Sequence, residues 1–114
     1  MLKLAVVGFG AIGQELARAL RGAPDVEITQ IVASRRSIER VTSAAAHLAP
    51  CARVTTEVEV AGEWRPDLLA ECAGHAALVS HVAPALRAGI PCVVASVGAL
   101  ADADCYARLE DAAR

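Results

Sequence analysis

The stretch ECAGHAA, residues 71–77, sets a carboxylate, a thiol and an imidazole within five positions. Brought together in space, those groups would supply proton transfer or nucleophilic attack. Along a strand, however, successive side chains leave on opposite faces, so Glu71, Cys72 and His75 need not meet. His75 reads as a helix cap or rim residue rather than a proton carrier, and Cys72 as a packing residue rather than a nucleophile. Ala73 offers a small wall, and Gly74 leaves clearance beside the backbone. Cys72, Ala73, Gly74 and His75 are therefore expected to line a crevice, with no catalytic residue in the chain. His47 and His81 are read as structural or surface residues.

The crevice needs a ligand, and GFGAIG points to one. Gly8, Gly10 and Gly13 stand in G-x-G-x-x-G spacing. The pattern alone is weak, but here it follows an apolar strand and opens an amphipathic helix, the setting of a dinucleotide fingerprint. Gly8 permits a tight turn, Gly10 leaves room for a pyrophosphate, and Gly13 lets helix and strand pack closely. Phe9, Ala11 and Ile12 complete the loop, and the free N–H groups at the helix start would hold the phosphates. A glycine turn without a ligand is the alternative.

About 20 residues further on, such a site places an acid for the ribose of NAD. The chain instead reads Ala33-Ser34-Arg35-Arg36, with no carboxylate before Glu39. Arg35 or Arg36 suits a 2′-phosphate through charge-assisted bonds, and an arginine also stacks on adenine. NAD and NADP are both expected cofactors, NADP at least equally; a solvated basic turn is the alternative. Ser96, Val97 and Gly98 end a later strand, where Gly98 would let backbone approach the nicotinamide end. An ordinary strand-to-helix turn would look the same.

The elements that must position these residues follow from periodicity. Residues 2–7 form a buried strand and 11–22 a helix with Ile12, Leu16 and Leu20 on one side. Residues 26–33 are a β-branched strand, and Ser37 is a plausible cap for a helix over 38–48 stopped by Pro50. A short strand over 53–56 precedes residues 57–66, which carry no clear pattern; Trp64 there is expected to be partly exposed. A strand over 67–73, a helix over 76–88, a strand over 92–97 and a helix from Asp102 or Asp104 complete the chain. Alternating strands and helices predict an α/β fold: a Rossmann-type doubly wound parallel sheet of about five strands, ordered 3-2-1-4-5. Its ligand crevice lies between the first and fourth strands.

Bulk properties agree. The 114 residues suit one domain, here a dinucleotide-binding domain over 1–114. Apolar residues make up 55% and aromatics 3%, so the core must be aliphatic and rich in alanine. A net charge of −2 without a basic block argues against nucleic acid or an anionic membrane as partner. No apolar run approaches the ~18 residues of a membrane span. Turn glycines follow the apolar N-terminus where a signal peptide would need a longer core. Cys51, Cys72, Cys92 and Cys105 form no CxxC pair, which suggests reduced thiols in a cytoplasmic protein and no metal site.

GFGAIG, ECAGHAAL and AGIPCVVASVGALAD together resemble the L-aspartate dehydrogenase family, and the likeness runs along nearly the whole chain. The resemblance implies hydride transfer from Cα of L-aspartate to NAD or NADP. Its product is iminoaspartate, which hydrolyses to oxaloacetate and ammonia or feeds nicotinamide-nucleotide synthesis. It also implies that Cys72, Ala73 and Gly74 line the crevice, that residues 96–98 approach the nicotinamide, and that the parent is a homodimer. Members of that family are more than twice as long, with aspartate-binding and catalytic residues in a second domain. The chain is accordingly expected to be a coenzyme domain without that second part, and inactive alone. A homoserine or dihydrodipicolinate-type oxidoreductase and a stand-alone nucleotide-sensing module share the fold and remain open.

Overall fold

Leu4 and Val6 leave one face of β1 (Leu2–Val7), Ala5 and Val7 the other, and all four are buried. A strand apolar on both faces must lie inside a sheet that is covered twice. The computed structural model, which describes residues 1–95 and 103–114, shows that arrangement. After β1 come α1 (Ala11–Leu20), β2 (Val26–Val32), α2 (Ile38–Leu48), β3 (Arg53–Thr55) and a 3-10 turn (Gly62–Trp64). Then follow β4 (Leu68–Glu71), α3 (His75–Ala77), a π-helical turn (Leu78–Val82), α4 (Ala83–Arg87), β5 (Cys92–Val94) and α5 (Ala103–Ala113). The strands described are parallel and run β3-β2-β1-β4-β5, the expected order.

Two aliphatic layers flank the sheet. Leu4, Val6, Ile28 and Ile31 pack with Phe9, Ala17, Val41 and Ala45 on the side of α1 and α2. Ala5, Val7, Val32 and Leu69 pack with Leu78, Val82, Ile90 and Leu109 on the other. Strict alternation would put Ile28 and Ile31 on opposite sides. A bulge resolves this: Leu4 pairs with Ile28 but Ala5 with Gln30, so Thr29 is the extra residue and side-chain parity inverts across it.

The inversion turns Gln30 to the second layer, fully buried. Its amide clamps the connection that the sequence leaves unpatterned. Nε2 donates to the carbonyls of Glu59 at 3.1 Å and Trp64 at 2.5 Å, and Oε1 accepts the Glu59 N–H at 2.9 Å. Arg53 stands over the Trp64 ring, 5.4 Å from its centroid. Trp64 is half-buried, as expected.

Three expectations change. The helix expected over 76–88 is not regular: the Ala83 N–H donates five residues back, to Leu78. Pro84 lies in the first turn of α4, and its ring would press on the carbonyl four residues earlier in a regular helix. Ser37 occupies the cap position of α2 but its side chain accepts no cap bond from the first turn, because its hydroxyl is engaged with Ser34. The fourth strand ends at Glu71, two residues early, where Gly74 takes φ +135° and turns the chain.

Gln30→Leu would remove the partner of three part-buried backbone groups. Urea unfolding is expected to show a loss of about 2–3 kcal/mol. A loss below about 0.5 kcal/mol would show that the clamp contributes nothing.

Candidate functional site

The tip of β1 meets the tip of β4 at the point where strand order reverses. The Cys72 N–H donates to the Val7 carbonyl and the Gly8 N–H to that of Val32, both at 2.8 Å. Gly8 takes φ +87°, and a Cβ there would fall 2.6 Å from the Ala73 Cβ. Only glycine satisfies both constraints. A Cβ on Gly13 would lie 2.5 Å from the Gly8 carbonyl oxygen, so this glycine admits close helix–strand packing.

Gly10 differs from both. It caps α1 at φ −82°, and a Cβ there would meet nothing within 4 Å. The space in front of the helix start is open, and the first turn of α1 carries no acidic residue to repel an anion. Gln14 fixes the loop by donating to the Phe9 carbonyl at 3.0 Å.

Opposite stands the loop after β4, and here the opening question is answered. Glu71 is 1% exposed. One oxygen of its carboxylate accepts the Ala73 and Gly74 N–H groups, at 2.8 and 2.7 Å. It shapes the loop instead of facing a substrate. Burial, and then the charge of Glu71, push the Cys72 thiol above its ordinary value, which opposes nucleophilic behaviour. Burial pushes Cys92 up to about 11. The carboxylate and thiol of ECAGHAA build a wall.

The resulting crevice has a volume of about 590 Å³. Gly8, Phe9, Gly10, Ser34, Cys72, Ala73 and Gly74 line it. The Phe9 side chain is buried in the α1–α2 core, so its backbone faces the ligand space. Ala11, Ile12, Gly13, Arg35 and Arg36 do not line it. Ile12 is 58% exposed and borders an apolar hollow with Leu16, Leu68 and Val93. His75 begins α3; its side chain, like Ser96, Val97 and Gly98, lies outside the described residues.

Residues that the sequence did not assign to the crevice complete the walls, among them Ser37, read as a helix cap, and His81, read as a structural or surface residue. Ser37, Arg40 and Val41 share one side of α2, and Ala76, Ala77, Ser80 and His81 come from α3 and the π-helical turn. The i, i+3, i+4 spacing from Ser37 was the available signal for the first group. Burial lowers the pKa of His81, and the Glu57 charge partly opposes that. Among the described residues no cluster of three His, Cys, Asp or Glu side chains stands ready for a metal. A separate hollow of about 290 Å³, bordered by Gly22, Glu27 and His47, lies at the far end of the strands.

A glycine loop at a helix start, facing a crevice at the switch point of a doubly wound sheet, defines a dinucleotide-binding domain. Residues 8–114 match the family described as homoserine dehydrogenase, NAD binding domain, and the chain belongs to that family. Its curated relatives include L-aspartate dehydrogenases of Cupriavidus taiwanensis, 46% identical, and Pseudomonas aeruginosa, 44% identical, each aligned over all of this chain. The chain spans 42% of the length of either. The fold is similar to that of the WlbA dehydrogenase of Bordetella pertussis, solved with NADH and UDP-GlcNAcA. That likeness has a TM-score of 0.78 at 18% identity, over 98% of this chain and 33% of the other.

Two substitutions separate folding from binding. Gly8→Ala is expected to cost at least about 2 kcal/mol in urea unfolding. Gly10→Ala is expected to cost less than about 1 kcal/mol, yet to weaken coenzyme binding at least about tenfold by calorimetry. Equal destabilisation by the two would contradict this division. With Cys51, the exposed thiol, replaced by serine, a thiol reagent is expected to react slowly at pH 8. Because burial raises Cys72 and Cys92, the rate should climb as pH rises. Rapid labelling at pH 7 would contradict the raised thiols of these two half-buried residues.

Proposed function

We propose that this chain is the coenzyme-binding domain of an L-aspartate dehydrogenase. The observation that carries the coenzyme part is the open space before Gly10, bounded by the loop that Glu71 shapes. The whole-chain similarity to L-aspartate dehydrogenases supports the substrate. When bound, the nicotinamide ring supplies the hydride acceptor for oxidation of L-aspartate to iminoaspartate. The chain's own residues do the holding. Amides at the start of α1 bind the pyrophosphate, and Gly8 and Ala73 set the floor. Ser34, Ser37 and Val41 on one wall, and Ala76, Ala77 and Ser80 on the other, enclose the adenosine half.

Aspartate binding and proton transfer fall, in this reading, to the part of the parent enzyme beyond the span shared here. The parent is proposed to be a cytoplasmic homodimer whose iminoaspartate enters nicotinamide-nucleotide synthesis; resemblance to the L-aspartate dehydrogenase family supports this. Calorimetry on this chain should show saturable binding of NAD+ or NADP+. A polypeptide extended to the relatives' length should reduce the coenzyme in an aspartate-dependent way, and the 114-residue chain alone should not. Absence of coenzyme binding at millimolar levels, or turnover of aspartate by this chain alone, would overturn the assignment.

A further inference from the structure

The ribose end of the crevice departs from the pattern that suits NAD, and its geometry points to a particular anion reader. We infer that Arg40, with the hydroxyls of Ser34 and Ser37, holds the 2′-phosphate of NADP, and that Arg35 and Arg36 do not. This rests on the coenzyme reading above and deepens it.

Beyond β2 the first acid, Glu39, is exposed and does not line the crevice, so no carboxylate there accepts a ribose hydroxyl. Two hydroxyls take that place. Ser34 Oγ and Ser37 Oγ are 2.7 Å apart, and the Ser37 N–H donates to Ser34 Oγ at 3.2 Å. One hydroxyl donates to the other, which leaves one O–H of the pair. The Ser34 carbonyl stands 3.4 Å from Ser37 Oγ, too long to hold that hydrogen well. The remaining O–H is therefore available to an acceptor in the crevice.

Arg40 follows Ser37 by three residues on α2 and lines the same wall. It has no ion-pair or hydrogen-bond partner among the described residues, unlike Arg18, Arg53 and Arg114, which pair with glutamates. A guanidinium that is free of carboxylates and borders a cavity is suited to bidentate capture of a phosphate. Arg35 and Arg36 are equally exposed but precede the helix and do not border the cavity.

The test titrates wild type, Arg40→Ala and the Arg35→Ala/Arg36→Ala double variant with four probes: NADP+, NAD+, 2′,5′-ADP and 5′-AMP. Arg40→Ala is expected to weaken NADP+ and 2′,5′-ADP about ten- to hundredfold while NAD+ and 5′-AMP stay within about twofold. The double variant should leave every probe within about threefold, since it alters only the distant field of exposed charges. Unchanged NADP+ affinity in Arg40→Ala, an equal loss of NAD+, or the main loss falling on the double variant would each overturn the assignment to Arg40. If wild type takes NAD+ but no NADP+, the inference fails while the coenzyme reading stands. If wild type takes neither, both fail. All three proteins should share one far-ultraviolet circular dichroism spectrum, because the changed side chains are exposed.

Discussion

The tips of β1 and β4 approach so closely that a hydrogen atom on Gly8 stands where any other residue would force a carbon against Ala73. That steric limit organises the rest of the site. It holds the two loops at contact distance, with the Cys72 N–H on the Val7 carbonyl locking their relative height. It leaves the Gly8 carbonyl pointing at α1, where only Gly13 can receive it. The start of α1 is thereby pinned beside the crevice with its amides facing open space. Function here depends first on exclusion of methyl groups, and only then on attraction.

In the proposed coenzyme site, attraction comes mostly from the backbone. The buried Glu71 carboxylate is a negative charge near a site meant for phosphates, which would be counterproductive if its field reached them unopposed. Its oxygen is occupied by the amides of Ala73 and Gly74, so much of that field is spent locally on shaping the loop. The first turn of α1, free of acids, keeps its positive end for the ligand. Glu71 and Cys72, whose chemistry drew notice in ECAGHAA, therefore serve geometry, and in the proposed coenzyme site binding falls to glycines and amides without reactive side chains.

The sequence revealed the sheet order because strands alternate with helices, β1 and β2 are apolar enough to lie inside a covered sheet, and crossovers take one hand. The roles of Gly8 and Gly13 were equally legible, since spacing and context specify them. Other features had causes that do not appear as local pattern. The Arg35-Arg36 pair looked like the anion reader because it follows β2 directly, whereas the helical turn from Ser37 carries Arg40 to the crevice. The π-helical turn, which brings Ser80 and His81 to the opposite wall, depends on where Pro84 falls relative to the preceding carbonyls. The stretch over 57–66 has no periodicity because Gln30, far away in sequence, supplies its hydrogen bonds.

Thr29, the extra residue of β2, governs more than its own position. Upstream of it even-numbered side chains enter the α1–α2 core, and downstream odd-numbered ones do. A chain lacking Thr29 would pair Ile28 with Leu4 and Gln30 with Ala5 in unbroken alternation, so both halves of the strand would keep their native faces. Ile28 and Ile31 would stay in the α1–α2 layer and the Gln30 amide would stay on the opposite side. The bulge is thus a spare residue: a one-residue deletion at this place is absorbed by its loss, whereas the same deletion within the regular ladder of β1 would turn half of that strand inside out.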